Sequence, residues 1–312
     1  MNRREFIKNS VIFGGGFAAG LGIRYFIPKN NIEKISYFDK KFQGLDILTN
    51  IDIHIVEHCN LNCKYCGAMS CIADEEYLDV DMYAKDIKQL AKVSEQRIKH
   101  IFLMGGEPLL HPQINKICEI TRKNFPLANI DVFTNRLLLN SMPDSFWQTL
   151  HNNNVGIMQS IYNIKIANPE AHYKKAKKFG VLINPPYEET KHPIELFGVT
   201  DLVFEGNVDY KTRFEACNNC MKSDWACGQL YKGRLYQCCN QQGIQHFNKK
   251  FNQNIQLTEE DTLDIYKIKN YNDIMEYKYK APKFCRFCGF GGVKKTWECS
   301  KDHDIHEWTY NA

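Results

Sequence analysis

The chain has 312 residues, 44% hydrophobic and 24% charged, with a formal net charge of +4 at pH 7. That length and balance suit one large core with a smaller appended domain, and they exclude a disordered, fibrous or low-complexity chain. Lysines are spread along the sequence rather than gathered into a basic stripe, so no nucleic-acid partner is expected. The thirteen cysteines, grouped at C-x-x-C and similar spacings, read as metal ligands in a reducing compartment rather than as a disulfide framework.

Residues 1–28 form a leader. Asn2-Arg-Arg-Glu-Phe-Ile-Lys8 resembles the twin-arginine export motif. The apolar stretch that follows, Val11 to Ile23, is shorter than the ~20 residues that span a bilayer. Arg24 interrupts its extension, and no A-x-A cleavage site follows. Two readings stay open, export to the periplasm or a tether that leaves the rest of the chain in the cytoplasm. Because low-potential reductants are cytoplasmic, a cytoplasmic and membrane-associated chain is the expectation. Residues 29–50 read as a polar connector.

From residue 51 to 212, apolar runs of strand length alternate with helical patterns. The strand candidates are Ile51–Val56, His100–Leu103, Ile130–Phe133, Val155–Ser160, Val181–Ile183 and Leu202–Phe204. Met82, Ile87, Leu90, Ala91 and Ile98 approximate a helical stripe between the first two. Pro112 opens a second helix carrying Ile114, Ile117, Cys118 and Thr121. Such alternation predicts an α/β fold with a parallel sheet and right-handed crossovers.

Two motifs interrupt the pattern, each just after a strand. The first is Cys59-Asn-Leu-Asn-Cys63-Lys-Tyr-Cys66. Three thiolates within eight residues suit an iron–sulfur cube with one iron left uncovered, whereas a closed structural site would want a fourth ligand nearby. Half of a zinc site is the competing reading of that spacing. The second is Met104-Gly-Gly-Glu-Pro-Leu-Leu110, which alone could be an ordinary Gly-Gly turn.

Taken together and in this order, the two motifs resemble those of the radical S-adenosylmethionine (radical SAM) superfamily: CxxxCxxC with an aromatic, here Tyr65, before the third cysteine, then a GGE segment. The resemblance implies a partial (β/α)6 TIM-like barrel with its chemistry at the carboxyl ends of the strands. It implies that Cys59, Cys63 and Cys66 hold a [4Fe–4S] cluster whose open iron chelates SAM. Reductive cleavage would then yield a 5′-deoxyadenosyl radical that abstracts hydrogen from a substrate. By the same resemblance, Gly105, Gly106 and Pro108 let the backbone approach SAM, and Glu107 accepts from its ammonium group. Strand three ends in Phe133-Thr-Asn-Arg-Leu137, similar to the family's TNG segment with Arg136 in place of glycine. Asn135 and Ser160 become further SAM contacts. No residue is marked as a substrate-side acid or base. Cys71 and Cys118 have no cysteine beside them at a ligand spacing and read as buried small hydrophobes.

Residues 213–312 form a cysteine-rich segment, with eight thiols between Cys217 and Cys299. The stretch from Cys227 to Cys238 reads as a β-hairpin turning at Lys232-Gly233. Gly233 to Cys238 resembles the G-x4-C element of the SPASM and twitch domains, which hold auxiliary iron–sulfur clusters. That resemblance implies one auxiliary [4Fe–4S] cluster on Cys227, Cys238, Cys285 and Cys288, with Cys217 or Cys220 able to replace Cys227. Zinc would accept the same thiolates. Asn272–Tyr277 reads as a short helix, and the ending around Trp297 and Trp308 as a cap without assigned chemistry.

The expected function is therefore radical SAM chemistry on a peptide side chain or a sugar-type small molecule, fed by a flavodoxin- or ferredoxin-type electron donor. The alternatives are a two-cluster electron-transfer or sensing protein and a zinc-stabilised module. An electron carrier has no use for Gly105-Gly-Glu107, and the run of strands speaks against the zinc module.

Overall fold

In a computed structural model, residues 12–13, 23–24, 37–187, 190, 193–198, 201–217, 228–289 and 294–309 are described. Most of the leader, together with Cys220 and Cys227, lies outside them. Within the leader, Ile12–Phe13 pairs antiparallel with Ile23–Arg24. Among the described residues no helix is long and apolar enough to cross a membrane.

The body alternates strand and helix as predicted: β1 (Leu48–Val56), α1 (Val80–Val93), β2 (Ile98–Gly105), α2 (Ile114–Asn124), β3 (Asn129–Thr134), α3 (Asp144–Asn152), β4 (Val155–Gln159), α4 (Ala171–Phe179) and β5 (Ile183–Asn184). Then come β6 (Leu196–Gly198), α5 (Tyr210–Ala216), β7 (Gln229–Tyr231), β8 (Arg234–Tyr236), α6 (Cys239–Phe251), β9 (Thr262–Asp264), α7 (Tyr271–Tyr279) and β10 (Lys294–Thr296). One sheet runs β9-β8-β7-β1-β2-β3-β4-β5, and the six strands from β7 to β5 are mutually parallel.

Side-chain alternation along β1 sets the two faces of the sheet. Ile51, Ile53 and Ile55 enter the main core, where Val80, Tyr83, Ile87 and Leu90 of α1 meet them. Asn50, Asp52 and His54 occupy the opposite face, with Asn50 beside His100 and Asp52 beside Phe102. Helix α1 starts at Asp79, whose carboxylate accepts from the Met82 N–H at 2.8 Å and so satisfies one of the free donors of the first turn. All four residues expected on the inner face of α2 are buried: Ile114, Ile117, Cys118 and Thr121.

Three expectations are corrected. Ile98 begins β2 instead of ending the helix, and Met82 is exposed, because Val80 and Tyr83 carry that side of the helical stripe. Leu202–Phe204 is no barrel strand; Leu202 makes only an isolated bridge to Cys288 and packs with Phe247, Phe284 and Trp308. The sixth parallel strand is β7, from the Cys227–Cys238 hairpin, and it pairs with β1 at Asp52↔Gln229 and Ile53↔Leu230. Among the described residues the hairpin forms, β7 against β8 with Lys232 and Gly233 at its turn, while its Cys227 end lies outside them. Three residues are too few to show in sequence which sheet edge receives them.

Candidate functional site

The cysteine loop leaves the carboxyl end of β1, and the Gly105-Gly-Glu107 segment leaves that of β2. The two are stitched together: the Gly106 N–H donates to the Val56 carbonyl at 2.8 Å and the Glu107 N–H to the His58 carbonyl at 3.1 Å. Here the need for glycine is visible. A Cβ on Gly105 would stand 2.0 Å from the Val56 oxygen, and one on Gly106 would stand 1.9 Å from the His58 oxygen. Gly105 also holds φ at +130°, where a side chain would be strained. The packing reason for the glycines is thus the end of β1 for Gly105 and the start of the cysteine loop for Gly106.

Cys59, Cys63, Tyr65 and Cys66 gather with Leu61, Trp297 and Tyr162 in one small cluster. Burial pushes the Cys59 thiol up to about 12, and it raises the Cys63 thiol as well, with Cys66 adding to both. Cys66 goes the other way. A hydrogen bond from the Cys71 thiol and others from the backbone N–H groups of Ser70, Ala68 and Met69 favour its thiolate against burial. Cys71 therefore touches a predicted ligand and is more than packing, although Cys118 does sit in the core with no exposure. The loop reverses at Tyr65 and Met69, both at positive φ, 63° and 57°. That doubling back is what brings a residue five positions along within reach of Cys66.

Glu107 is fully buried. Its Oε1 accepts from the Thr134 hydroxyl at 2.7 Å and the Leu109 N–H at 3.1 Å, and its Oε2 accepts from the Asn135 N–H at 2.8 Å. Burial nevertheless lifts its pKa to about 7, because desolvation outweighs these donors. Pro108 starts the one-turn helix Pro108–Leu110 that Glu107 caps. Asn135 donates to Asn60 Oδ1 at 2.7 Å and reaches the Cys59 sulfur at 3.6 Å, so it ties strand β3 to the cysteine loop. Arg136 holds φ at 65°, the left-handed region that favours glycine. Ser160 is buried and its N–H donates to the Thr134 carbonyl at 2.9 Å. Glu107, Asn135 and Ser160 thus meet around the end of β3.

Two features were not legible in the sequence. Glu57, 1% exposed, accepts from Gln242 Nε2 at 2.7 Å and pairs with His246 Nε2 at 2.8 Å, while His54 Nδ1 stands 3.4 Å away. Burial opposes its ionisation, but the two histidines hold the carboxyl well below the usual range. This network locks α6 to the start of the cysteine loop. The second is the C-terminal tail. The Lys64 N–H donates to the Glu298 carbonyl at 3.0 Å, the Ser300 N–H to the Asn62 carbonyl at 2.7 Å, and the Trp308 indole to the Cys66 carbonyl at 2.8 Å. The ending caps the site as anticipated, by pairing with the cysteine loop itself.

In the second cysteine field, Cys217 follows α5, Cys238 precedes α6, Cys285 sits within the short helix Lys283–Phe287 and Cys288 ends it. The four lie close enough to act on one another. Burial, then the neighbouring thiols, push Cys238 up to about 11 and Cys288 up to about 12, and Cys285 rises in the same direction. Cys299 stands apart, beside Cys63. Among the described residues no three His, Cys, Asp or Glu side chains converge as a single metal ion requires. A cube binds each thiolate through a different iron and asks for no such convergence.

Residues 53–182 match the model of the Radical SAM superfamily. The chain is 32% identical over 95 residues to a GTP 3',8-cyclase of Chlorobaculum tepidum, covering 30% of this chain and 28% of that protein. It is 30% identical over 134 residues to a "Probable GTP 3',8-cyclase" of Methanocaldococcus jannaschii, covering 43% and 41%. The chain thus spans well under half the length of these relatives. Among solved structures, BtrN in complex with AdoMet and 2-DOIA aligns with a TM-score of 0.46 at 16% identity, over 78% of this chain and 93% of that one.

Proposed function

We propose that the chain is a radical SAM enzyme that cleaves S-adenosylmethionine reductively and modifies its substrate by hydrogen-atom abstraction. The observation that carries this reading is the stitching of Cys59–Cys66 to Gly105-Gly-Glu107 at the ends of adjacent strands, inside the matched domain. Cys59, Cys63 and Cys66 would hold the cluster, which supplies the electron when bound. Their thiols share one loop, and the Cys71 thiol and nearby backbone N–H groups favour the Cys66 thiolate, so the donor set fits. Glu107 would take the ammonium of SAM: one lone pair of its carboxylate remains after three bonds, and a cation would relieve its buried charge. Asn135, Ser160 and Tyr65 would line the same pocket, with Asn135 and Glu57 holding the loop in place.

Cys217, Cys238, Cys285 and Cys288 would hold an auxiliary [4Fe–4S] cluster, as in a twitch domain. Cys217 stands near the other three and would supply the fourth thiolate; Cys227 lies outside the described residues. An external low-potential donor of flavodoxin or ferredoxin type would supply the electron. The substrate would enter the barrel interior lined by Asp52, His54 and Phe102, as a peptide or a small molecule. The leader would tether the enzyme to the inner face of the membrane.

Anaerobic reconstitution tests this assignment. About eight irons and eight sulfides per chain are expected for two cubes, with an EPR signal after reduction that SAM changes in one cluster and leaves unaltered in the other. A zinc-bound, colourless chain, or a signal indifferent to SAM, would overturn it.

A further inference from the structure

One tail residue stands where it can act on the first cluster. Trp297 is 8% exposed and packs with Leu61 and Cys63. Its ring lies flat on Tyr162, 4.9 Å between centroids and 17° between planes. The backbone fixes it from both sides: its N–H donates to the Glu195 carbonyl at 2.9 Å, β10 before it pairs with β6, and Glu298 after it pairs with Lys64. The indole Nε1–H is nevertheless buried with no completed hydrogen bond. A buried donor left unpaired costs free energy, so its position asks for an acceptor. The sulfur packed beside it is that of Cys63. On the other side of the loop, Asn135 already directs an N–H at the Cys59 sulfur, at 3.6 Å.

We propose that Trp297 is a positioning residue for the reduction potential of the first cluster: its indole N–H bonds to the Cys63 sulfur once that sulfur ligates iron. This rests on the function proposed above and adds a role that the tail does not otherwise have. One electron passes from the external donor, which is oxidised, to the cluster, which gains one negative charge. A neutral N–H aimed at a ligand sulfur stabilises that added charge more than the oxidised state, and so raises the potential. A thiol is a weak acceptor and a thiolate on iron a better one.

The test replaces Trp297 in the full chain, reconstituted with both clusters. Trp297→Phe keeps a ring over Tyr162 and removes the N–H. A 3-benzothienyl-alanine at the same position keeps the whole indole shape with sulfur in place of the N–H, and it decides the matter if the Phe variant fails to hold iron. The readout is the midpoint potential of the SAM-responsive EPR signal, followed by redox titration alongside iron content. The expected result is unchanged iron and a lower potential, with about tenfold less cluster reduced at a fixed poise, equal to ~59 mV for a one-electron couple. The signal that ignores SAM should not move. An unshifted potential in the isostere chain, with the signal intact, would overturn the proposal alone. Loss of any SAM-responsive signal from the unmodified chain would instead sink the function on which it rests.

Discussion

Replacing Glu107 by Gln probes the balance on which the SAM pocket depends. In the ligand-free chain burial lifts this carboxyl from 4.5 to about 7. Between those values the folded chain keeps a proton that the unfolded chain has released. Stability contributed by the protonated group is therefore present at low pH and is lost as pH rises through 7. A rise of about 2.5 units corresponds to roughly 3 kcal/mol at 1.36 kcal/mol per unit. Glutamine resembles the protonated carboxyl, with one accepting oxygen and one donor, and does not titrate. In urea denaturation of the metal-free protein, the variant should lie within about 1 kcal/mol of wild type at pH 4.5 and exceed it by up to roughly 3 kcal/mol at pH 8. The same cost should be relieved by a bound ammonium, so SAM affinity of the wild type should weaken as pH falls from 7 to 5. A variant less stable than wild type at pH 8 would show that the three hydrogen bonds outweigh burial, and would refute the reasoning.

Changing Cys59, Cys63 and Cys66 together to Ala should remove about four irons per chain while leaving the auxiliary signal, as read by metal analysis and EPR. Cys217→Ser should lose that auxiliary signal and keep the SAM-responsive one, whereas Cys227→Ser should keep both; the reverse pattern would return the fourth ligand to Cys227. Residues 1–35 fused to a reporter active only outside the cytoplasm should show activity that depends on Arg3 and Arg4 if the leader is an export signal, and a leader that only tethers predicts none.

What was legible in the sequence was what short range dictates. Strands β1 to β4 follow from apolar runs, α2 from its stripe, and both motifs from spacing. The hairpin followed from Lys232-Gly233, since glycine tolerates the positive φ of 72° found there. Long-range contacts leave no such local trace. Nothing around Glu57 announces that His246, 189 positions later, will pair with it. Nor does anything local announce that Gln229–Tyr231, and not the more apolar Leu202–Phe204, joins the sheet. The one local signal passed over was Arg136, whose departure from glycine marked a left-handed position that the backbone keeps. The tail's role was hidden for the same reason: Trp297 and Trp308 find their partners more than 200 residues upstream, at Cys63 and Cys66.

The account turns on whether SAM is cleaved at the three-cysteine loop. Reconstituted protein given dithionite and SAM without oxygen should release 5′-deoxyadenosine, and the Cys59, Cys63 and Cys66 triple-alanine variant should release none. Equal release from the variant, or none from the iron-loaded wild type, would contradict it.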